Sequence, residues 1–414
     1  MIFFRVALPF IAGFFVSYMY RAVNAVLGPT LAAEFGLTAG GLGLLTSMYF
    51  LAFALFQLPL GLLLDRFGPR RVNATLLLLA AAGGAWFASA HSAAEAIAAR
   101  GLIGLGVSGC LMSTILAFVL WYPPAKLATM NGIAFASGAL GSITVSVPLE
   151  VLLRVWPWRE AFMLLVGATL AVSLTLWFWV PERSARPSGA TLAQQLRGMA
   201  VLVADRGFRR IALAMAASQI AAMALQTLWM ATWLRDVAGY TPSEVAEGLL
   251  AANVAMICGY LGFGRAADYR ARHGKTVLPL LAGGLALASA SLFLLALGTR
   301  TWCMLLWCTF VGGSTAIVLS FSLLSRRYPK EMVGRANTGV NVFGFSGMFL
   351  GQWGIGAVLD LWPQSATGYD PAAYTWAFGI AWAIQFCGLA WIWSGRRLVE
   401  EKGEGKGARL GFTD

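Results

Sequence analysis

Apolar runs of roughly 20 residues follow one another along almost the whole chain, and a helix of about that length crosses the ~30 Å hydrocarbon core of a bilayer. Backbone polar groups find no water there, so a spanning chain must be helical or form a closed barrel. These runs are long and do not alternate, which excludes the barrel. Composition agrees. The 414 residues are 59% hydrophobic and only 12% charged, with mean hydropathy +0.72, where a soluble domain carries about 25% charge. Twelve spans are predicted, at 6–30, 42–64, 72–90, 96–121, 126–153, 160–181, 209–235, 243–267, 276–298, 301–325, 331–359 and 373–395. The expected fold is all-α and integral to the membrane. Its parts are a first six-helix bundle (1–181), a polar linker (182–208), a second six-helix bundle (209–395) and a charged, Gly-rich disordered tail (396–414).

The net charge of +12 invites a nucleic-acid reading, but its distribution argues for a membrane. With the N-terminus placed in the cytoplasm, all but six of the 30 Lys and Arg fall in cytoplasmic segments. The six are Arg21, Arg100, Arg154, Arg159, Arg235 and Arg300. Both termini are therefore expected in the cytoplasm, with the basic face on anionic lipid. Cys110, Cys258, Cys303, Cys308 and Cys387 lie in apolar segments without zinc spacing and read as small buried hydrophobes. His91 and His273 fall in predicted loops. No metal, cofactor or catalytic constellation is expected, and an enzyme is disfavoured.

One short bend is charged out of proportion: Gly61 to Arg71, GLLLDRFGPRR. It has a partner at Gly264 to Lys275, GRAADYRARHGK. Asp65 and Asp268 are 203 residues apart. YPPAKLATMNG from Tyr122 pairs with YPKEMVGRANTG from Tyr328 at an offset of 206. Two matches at nearly one offset argue for two similar halves. Gly61 is expected to permit close contact at the seam between them. Asp65 stands at a helix mouth, where it can pair with Arg66 or Arg70, or meet a facing helix N-terminus. With Gly68 and Arg71 this cluster can latch one packing and release in another. In the second copy Gly264 and Asp268 persist, but Tyr269 replaces the first Arg, so that latch is weaker or borrows Arg270 or Arg272.

These motifs resemble the major facilitator superfamily over essentially the whole chain. GLLLDRFGPRR is similar to that family's signature between helices two and three. RGLIGLGVSG from Arg100 resembles its helix-four motif, and WPWREAF and PER around helix six also fit. The resemblance implies two six-helix bundles around a central cavity that opens alternately to each side. It places Arg100 in packing or gating.

Polar groups at mid-membrane depth carry the functional reading. Arg21 lies well inside the first span, where an arginine is expensive unless it faces a watery cavity or a partner. Tyr18, Arg21 and Asn24 share an approximate face. A guanidinium offers a planar fork for carboxylate or phosphate. YMYRAVNAVLGP also resembles the first helix of the anion:cation symporter and organophosphate antiporter branches, whose Arg near this position binds the anion. Such relatives commonly carry a second Arg in helix seven. Here Gln219, Gln226 and Trp229 stand there instead, which favours a small anion such as a monocarboxylate over a phosphate ester. Tyr49, Gln57, Asn253, Tyr260 and Asn341 are further candidates for the cavity wall. Glu150 and Asp360 are acids near outer span ends, and Glu150 and Arg154 are spaced to pair.

The expected function is secondary transport of a small organic anion by alternating access, coupled to a proton or a counter-anion. A monomer in a bacterial inner membrane is expected. The alternatives are proton-coupled efflux of drugs or metabolites, with Arg21 structural, and a non-transporting sensor of transporter fold. A central carboxylate is missing from the sequence of the spans, which counts against cation efflux.

Overall fold

A computed structural model describes residues 2–183, 192–328, 330–363 and 368–400. The predicted disorder of 401–414, and part of the linker, lie outside them. Among the described residues, eleven helices are long and apolar enough to cross a membrane. They are α1 (Phe3–Ala22), α3 (Ala39–Ser89), α4 (Ala93–Trp121), α5 (Met130–Leu153), α6 (Trp158–Phe178), α8 (Arg206–Asp236), α9 (Pro242–Arg272), α10 (Leu278–Ala296), α11 (Cys303–Arg327), α12 (Met332–Leu359) and α13 (Pro371–Ser394). Three further helices are α2 (Asn24–Phe35), α7 (Leu192–Ala204) and α14 (Arg396–Glu400).

Eleven helices still make twelve spans. At ~1.5 Å per residue the 51 residues of α3 would reach about 77 Å, more than twice the hydrocarbon core. The chain reverses at Gly68, whose φ of 76° and ψ of 165° suit glycine, and Pro69 starts the second limb. The charged bend is therefore the hairpin between spans two and three. At the first span the predicted end is too early. Val23 keeps helical dihedrals, so α2 prolongs α1 to Phe35.

The halves repeat in space as in sequence. On α5, an added Cβ at Gly141 would lie 2.3 Å from the Phe15 carbonyl oxygen. On α12, one at Gly347 would lie 2.5 Å from that of Ala216. These glycines are 206 residues apart, the offset of the Tyr-Pro motifs, and each lets its helix lie against the first helix of its own half.

The face bearing the linker and α14 is rich in Arg, and we call it the basic face. Here Asp205 caps α8 by accepting from the Gly207 and Phe208 amides, at 3.1 and 3.3 Å. The same carboxylate receives Arg327 at 2.7 and 2.8 Å, and the Tyr328 hydroxyl. Burial pushes the Asp205 carboxyl up, but Arg327, Tyr328 and the Gly207 amide outweigh it and hold it at about 2, below its ordinary 3.8. A depressed carboxyl stabilises the fold above its unfolded pKa, and that stabilisation is lost as pH falls through the folded one. After discounting for solvent, Asp205 contributes about 1–2 kcal/mol at neutral pH. Asp205→Asn is expected to lower the melting temperature above pH 4, with the gap to wild type narrowing between pH 4 and 2. A gap independent of pH over that window would show that the ion pair is not its source.

At the opposite, far face the halves are joined. Asp360, just beyond α12, accepts from the Ala39 and Gly40 amides at 2.8 and 2.9 Å. The Thr38 side chain takes the Gly41 amide. A carboxylate from one half thus caps a helix of the other. Arg154, after α5, is paired with Glu150 at 3.0 Å, as its spacing predicts, and donates to Ser243 of α9 at 3.1 Å. Arg154 and Asp360 are again 206 residues apart, so the two clasps occupy equivalent places with opposite charge. Below Asp360 the seam stays tight. A Cβ at Gly356 would lie 2.3 Å from the Ala39 oxygen, and one at Gly43 2.6 Å from the Gln352 oxygen. Phe53 and Phe345 stack across the seam with centroids 4.0 Å apart.

Towards the basic face the packing changes. Added Cβ atoms at Gly132, Gly262, Gly264 and Gly334 would meet nothing within 4 Å. Gly264, the second-half counterpart of Gly61, therefore stands in open space in this conformation, in which the halves hold together at the far face. Arg70 and Arg71 of the charged hairpin are bound within their own half. Arg70 donates to the Val180 carbonyl at 3.1 Å and pairs with Glu182 at 3.3 Å, and Arg71 pairs with Glu182 at 3.2 Å. Glu182 belongs to the PER segment after α6, which packs on α3. Arg66 lies exposed over Phe67. In the second copy Arg270 donates to the Thr276 carbonyl at 2.6 Å. Asp268 and Arg272 are exposed, and among the described residues Asp268 has no ion pair. Cys258 and Cys387 are exposed rather than buried.

Candidate functional site

Arg21 sits on α1 at the middle of the seam, 7% exposed. Among the described residues no carboxylate pairs with it, and its Nε has no hydrogen-bond partner. Aromatic faces surround it instead. The guanidinium carbon lies 4.4 Å from the Tyr18 ring centroid, 5.6 Å from Phe345 and 5.9 Å from Phe53. Such contacts contribute about 2 kcal/mol when desolvated. That offsets only part of the several kcal/mol needed to bury an ion. The site therefore favours an anion.

A void of about 20 Å³ adjoins the guanidinium. It holds about one water, so the walls must part to admit an organic solute. Its walls come from both halves. The first supplies Tyr18, Arg21, Ala22, Ala25, Ser142 and Ser146; the second supplies Met223, Gln226, Thr227, Leu249, Asn253 and Met256. Gln226 lies in a single π-helical turn of α8, Leu225–Trp229, a distortion often found at functional sites. Its Nε2 has two weak contacts, a long 3.5 Å to Asn253 Oδ1 and 3.4 Å to the thioether Met256 Sδ, a poor acceptor. Neither bond is strong, so a ligand can take the amide at little cost.

Of the predicted wall residues, Tyr18, Arg21, Gln226 and Asn253 come together. The others are placed elsewhere. Asn24 is fully buried and donates to Thr46 Oγ1 at 3.0 Å. The Tyr49 hydroxyl lies beside the Arg21 guanidinium but donates to the Ser17 carbonyl at 3.2 Å, and Gln57 reaches the Ser108 carbonyl at 3.4 Å. Trp229 Nε1 donates to the Gln352 carbonyl at 3.0 Å. These four are bonds between helices, which a dry interior demands of any polar group. Tyr260, Asn341 and Gln219 are half-buried and outside the walls of the void. Arg100 is fully buried; it donates to the Tyr20 carbonyl at 3.0 Å and lies over Tyr49 and Phe87. Its Nε and Nη2 have no hydrogen-bond partner among the described residues.

The sequence reading missed Phe53, Phe345, Ser142, Ser146 and Thr227. Ser142 and Ser146 are i,i+4 on α5 and could have been found as a polar stripe. The two phenylalanines carry no signal among 26.

Two packed helical halves, a polar site at their seam and a basic membrane face define a helical membrane transporter. The Major Facilitator Superfamily profile matches residues 10–352, and the chain belongs to that family of transporters. Over 361 residues it is 25% identical to a probable sulfoacetate transporter, SauU, of Cupriavidus necator, covering 81% of this chain and 82% of that one. It is 22% identical to a probable galactarate/D-glucarate transporter, GudP, of Bacillus subtilis, covering 80% and 79%. The solved structure of a bacterial homolog of the human lysosomal transporter Spinster, in an inward-facing and occupied conformation, superposes with a TM-score of 0.75. It is 16% identical, and the match covers 95% of this chain and 96% of that one.

Proposed function

We propose that this protein moves a small organic anion across a bacterial inner membrane by alternating access, with Arg21 as the anion anchor. The observation that carries this reading is a buried guanidinium with aromatic but no acidic neighbours, at a void shared by both halves. One anionic group of the solute takes the planar fork of Arg21. The Gln226 and Asn253 amides of the opposite half bind the remainder of the solute. A ligand bridging the halves in this way couples its binding to their closure. The names of two relatives support the class, since sulfoacetate and glucarate are both small organic anions.

The basic face is read as cytoplasmic by the positive-inside rule, which makes the far face external and the present conformation inward-facing. Among the described residues the walls of the void contain no carboxylate or histidine. Exchange against a second anion therefore suits the site better than a proton relay within it.

Thermal stability of the purified protein tests this against sulfoacetate, D-glucarate, D-galactonate, cationic drugs and neutral sugars. Ligand that binds only the folded state raises the melting temperature. A rise with one or more of the anions, absent in Arg21→Ala, is expected. Shifts with cations, or anion shifts that survive the mutation, would overturn the anchor and favour drug efflux. Uptake of the same anion into proteoliposomes separates a transporter from a sensor.

A further inference from the structure

A second chamber, of about 220 Å³, lies at the far face. Its walls are Pro29, Ala32 and Ala33 of α2, Leu37, Leu42 of α3, Thr232 and Arg235 of α8, and Gly368 and Tyr369. The helices that flank it also flank the void at Arg21. Along α1 and α2, Arg21, Ala22 and Ala25 face the inner void, while Pro29, Ala32 and Ala33 face the outer chamber. Along α8, Gln226 and Thr227 face inward, while Thr232 and Arg235 face outward. Between them lies one apolar layer, in which a Cβ at Gly28 would meet Leu228 at 3.2 Å and Leu42 at 3.6 Å. Gln226 and Arg235 are nine residues apart, or about 13 Å along the helix. The two spaces thus lie in series on one line through the protein, divided by a plug about one residue layer thick.

Arg235 is built into this chamber. Its Nε donates to Asp236 Oδ1 at 2.6 Å. Asp236 is 1% exposed and also receives the Tyr369 amide at 3.1 Å and the Tyr374 hydroxyl at 2.8 Å. The carboxylate is thus saturated and screened from the chamber, and it fixes the root of the guanidinium. Among the described residues Arg235 has no other hydrogen-bond partner, and the Tyr369 hydroxyl has none. A fork held at one nitrogen, with donors to spare and a phenol beside it, is suited to one carboxylate or sulfonate group.

We propose that the far-face chamber is a second anion site, in which Arg235 receives the anionic group of the transported solute while the plug is shut. This rests on the reading of the protein as an organic-anion transporter. The chamber is open in the conformation in which the Arg21 void is closed to the far face. It can therefore load, or discharge, a solute while the inner site faces the other side. Asp236 is the positioning residue for Arg235.

The experiment is substrate protection in the Arg21→Gln background, which removes the inner anchor. Ala33 is exposed and lines the chamber. Ala33→Cys in intact cells is labelled with a membrane-impermeant, uncharged maleimide, with and without sulfoacetate. For a millimolar site, a probe at about 10 mM leaves roughly one-tenth of the sites free and slows labelling about tenfold. Slowing by sulfoacetate but not by choline, abolished by adding Arg235→Gln, is the expected result. Labelling unaffected by sulfoacetate, or slowing that survives Arg235→Gln, overturns the proposal. If Arg235→Gln does not reach the membrane, Arg235→Lys retains the charge and loses the fork. Protection that is weaker but present in that variant supports the site, and undiminished protection overturns it. The underlying reading fails separately, by loss of Arg21-dependent binding and uptake in otherwise wild-type protein.

Discussion

Arg21→Gln is expected to weaken binding of the transported anion by about 100-fold or more, because the fork supplies charge-assisted hydrogen bonds of roughly 1.5–3 kcal/mol each in a dry site. Uptake should fall with it. Arg21→Lys keeps the charge but loses the planar geometry, and a smaller loss of about tenfold is expected. Stability of the ligand-free protein should move the other way. Arg21 is buried with its Nε unpaired, and its neighbours are aromatic rings and neutral polar groups with no carboxylate among the described residues. Replacing it removes a desolvated charge that nothing in the empty site neutralises. The unliganded variant should therefore melt at the same temperature as wild type or higher, while its ligand-induced shift disappears. A structural arginine would behave oppositely, with lower stability and ligand shifts retained. Melting curves with and without sulfoacetate or D-glucarate, alongside uptake, distinguish the two.

The fold was legible in the sequence because lipid leaves few choices. Apolar runs give the twelve spans, and positive-inside charge and the repeat agree with them; the departures fall at span ends and in the segments expected to be irregular, where α7 lies in the linker and α14 opens the tail expected to be disordered. Helix termini are set by local caps such as Asp205 and Thr241, the latter in a capping box with Glu244, and hydropathy does not register these. The site was half legible. Arg21 is conspicuous because a charge at that depth needs a reason. Asn24, Tyr49, Gln57 and Trp229 look the same on paper as Gln226 and Asn253. Whether a mid-membrane amide bonds another helix or faces a cavity depends on rotation within a few tens of degrees and on the partner opposite. Trp229 goes to a backbone carbonyl of α12, more than 100 residues away, and no local pattern specifies that. Phe53 and Phe345 were invisible for the opposite reason, since an aromatic residue in a membrane span needs no explanation. Asp360 was noted only as an acid at a span end, and its role needs the other half of the molecule to be seen.

The second large effect is expected at Gly356. It lies one turn before Asp360, against the start of α3, where a Cβ would approach the Ala39 oxygen at 2.3 Å and the Ala39 carbonyl carbon at 2.7 Å. Those are backbone atoms of a helix end and cannot swing aside. Gly356→Val must therefore push the halves apart at the far face and pull Asp360 from the Ala39 and Gly40 amides. Overpacking of a tight contact costs about 1–3 kcal/mol, and loss of two charge-assisted bonds adds to it. About 5.5 kcal/mol moves a two-state balance from 99:1 to 1:99. The variant should accordingly abandon the present conformation, and transport should fall about 100-fold, since a carrier held in one state cannot complete a cycle. Spin labels at Ala33 and Leu361, both exposed on the far face, should report a longer distance than in wild type. Gly264→Val is the matched control. Open space surrounds Gly264 here, so the far-face distance should be unchanged. Its cost should appear only if that helix closes against the other half in the alternate state, as reduced transport with the present conformation favoured. A Gly356→Val protein with the wild-type distance and full transport would show that far-face closure is not one of the two working states.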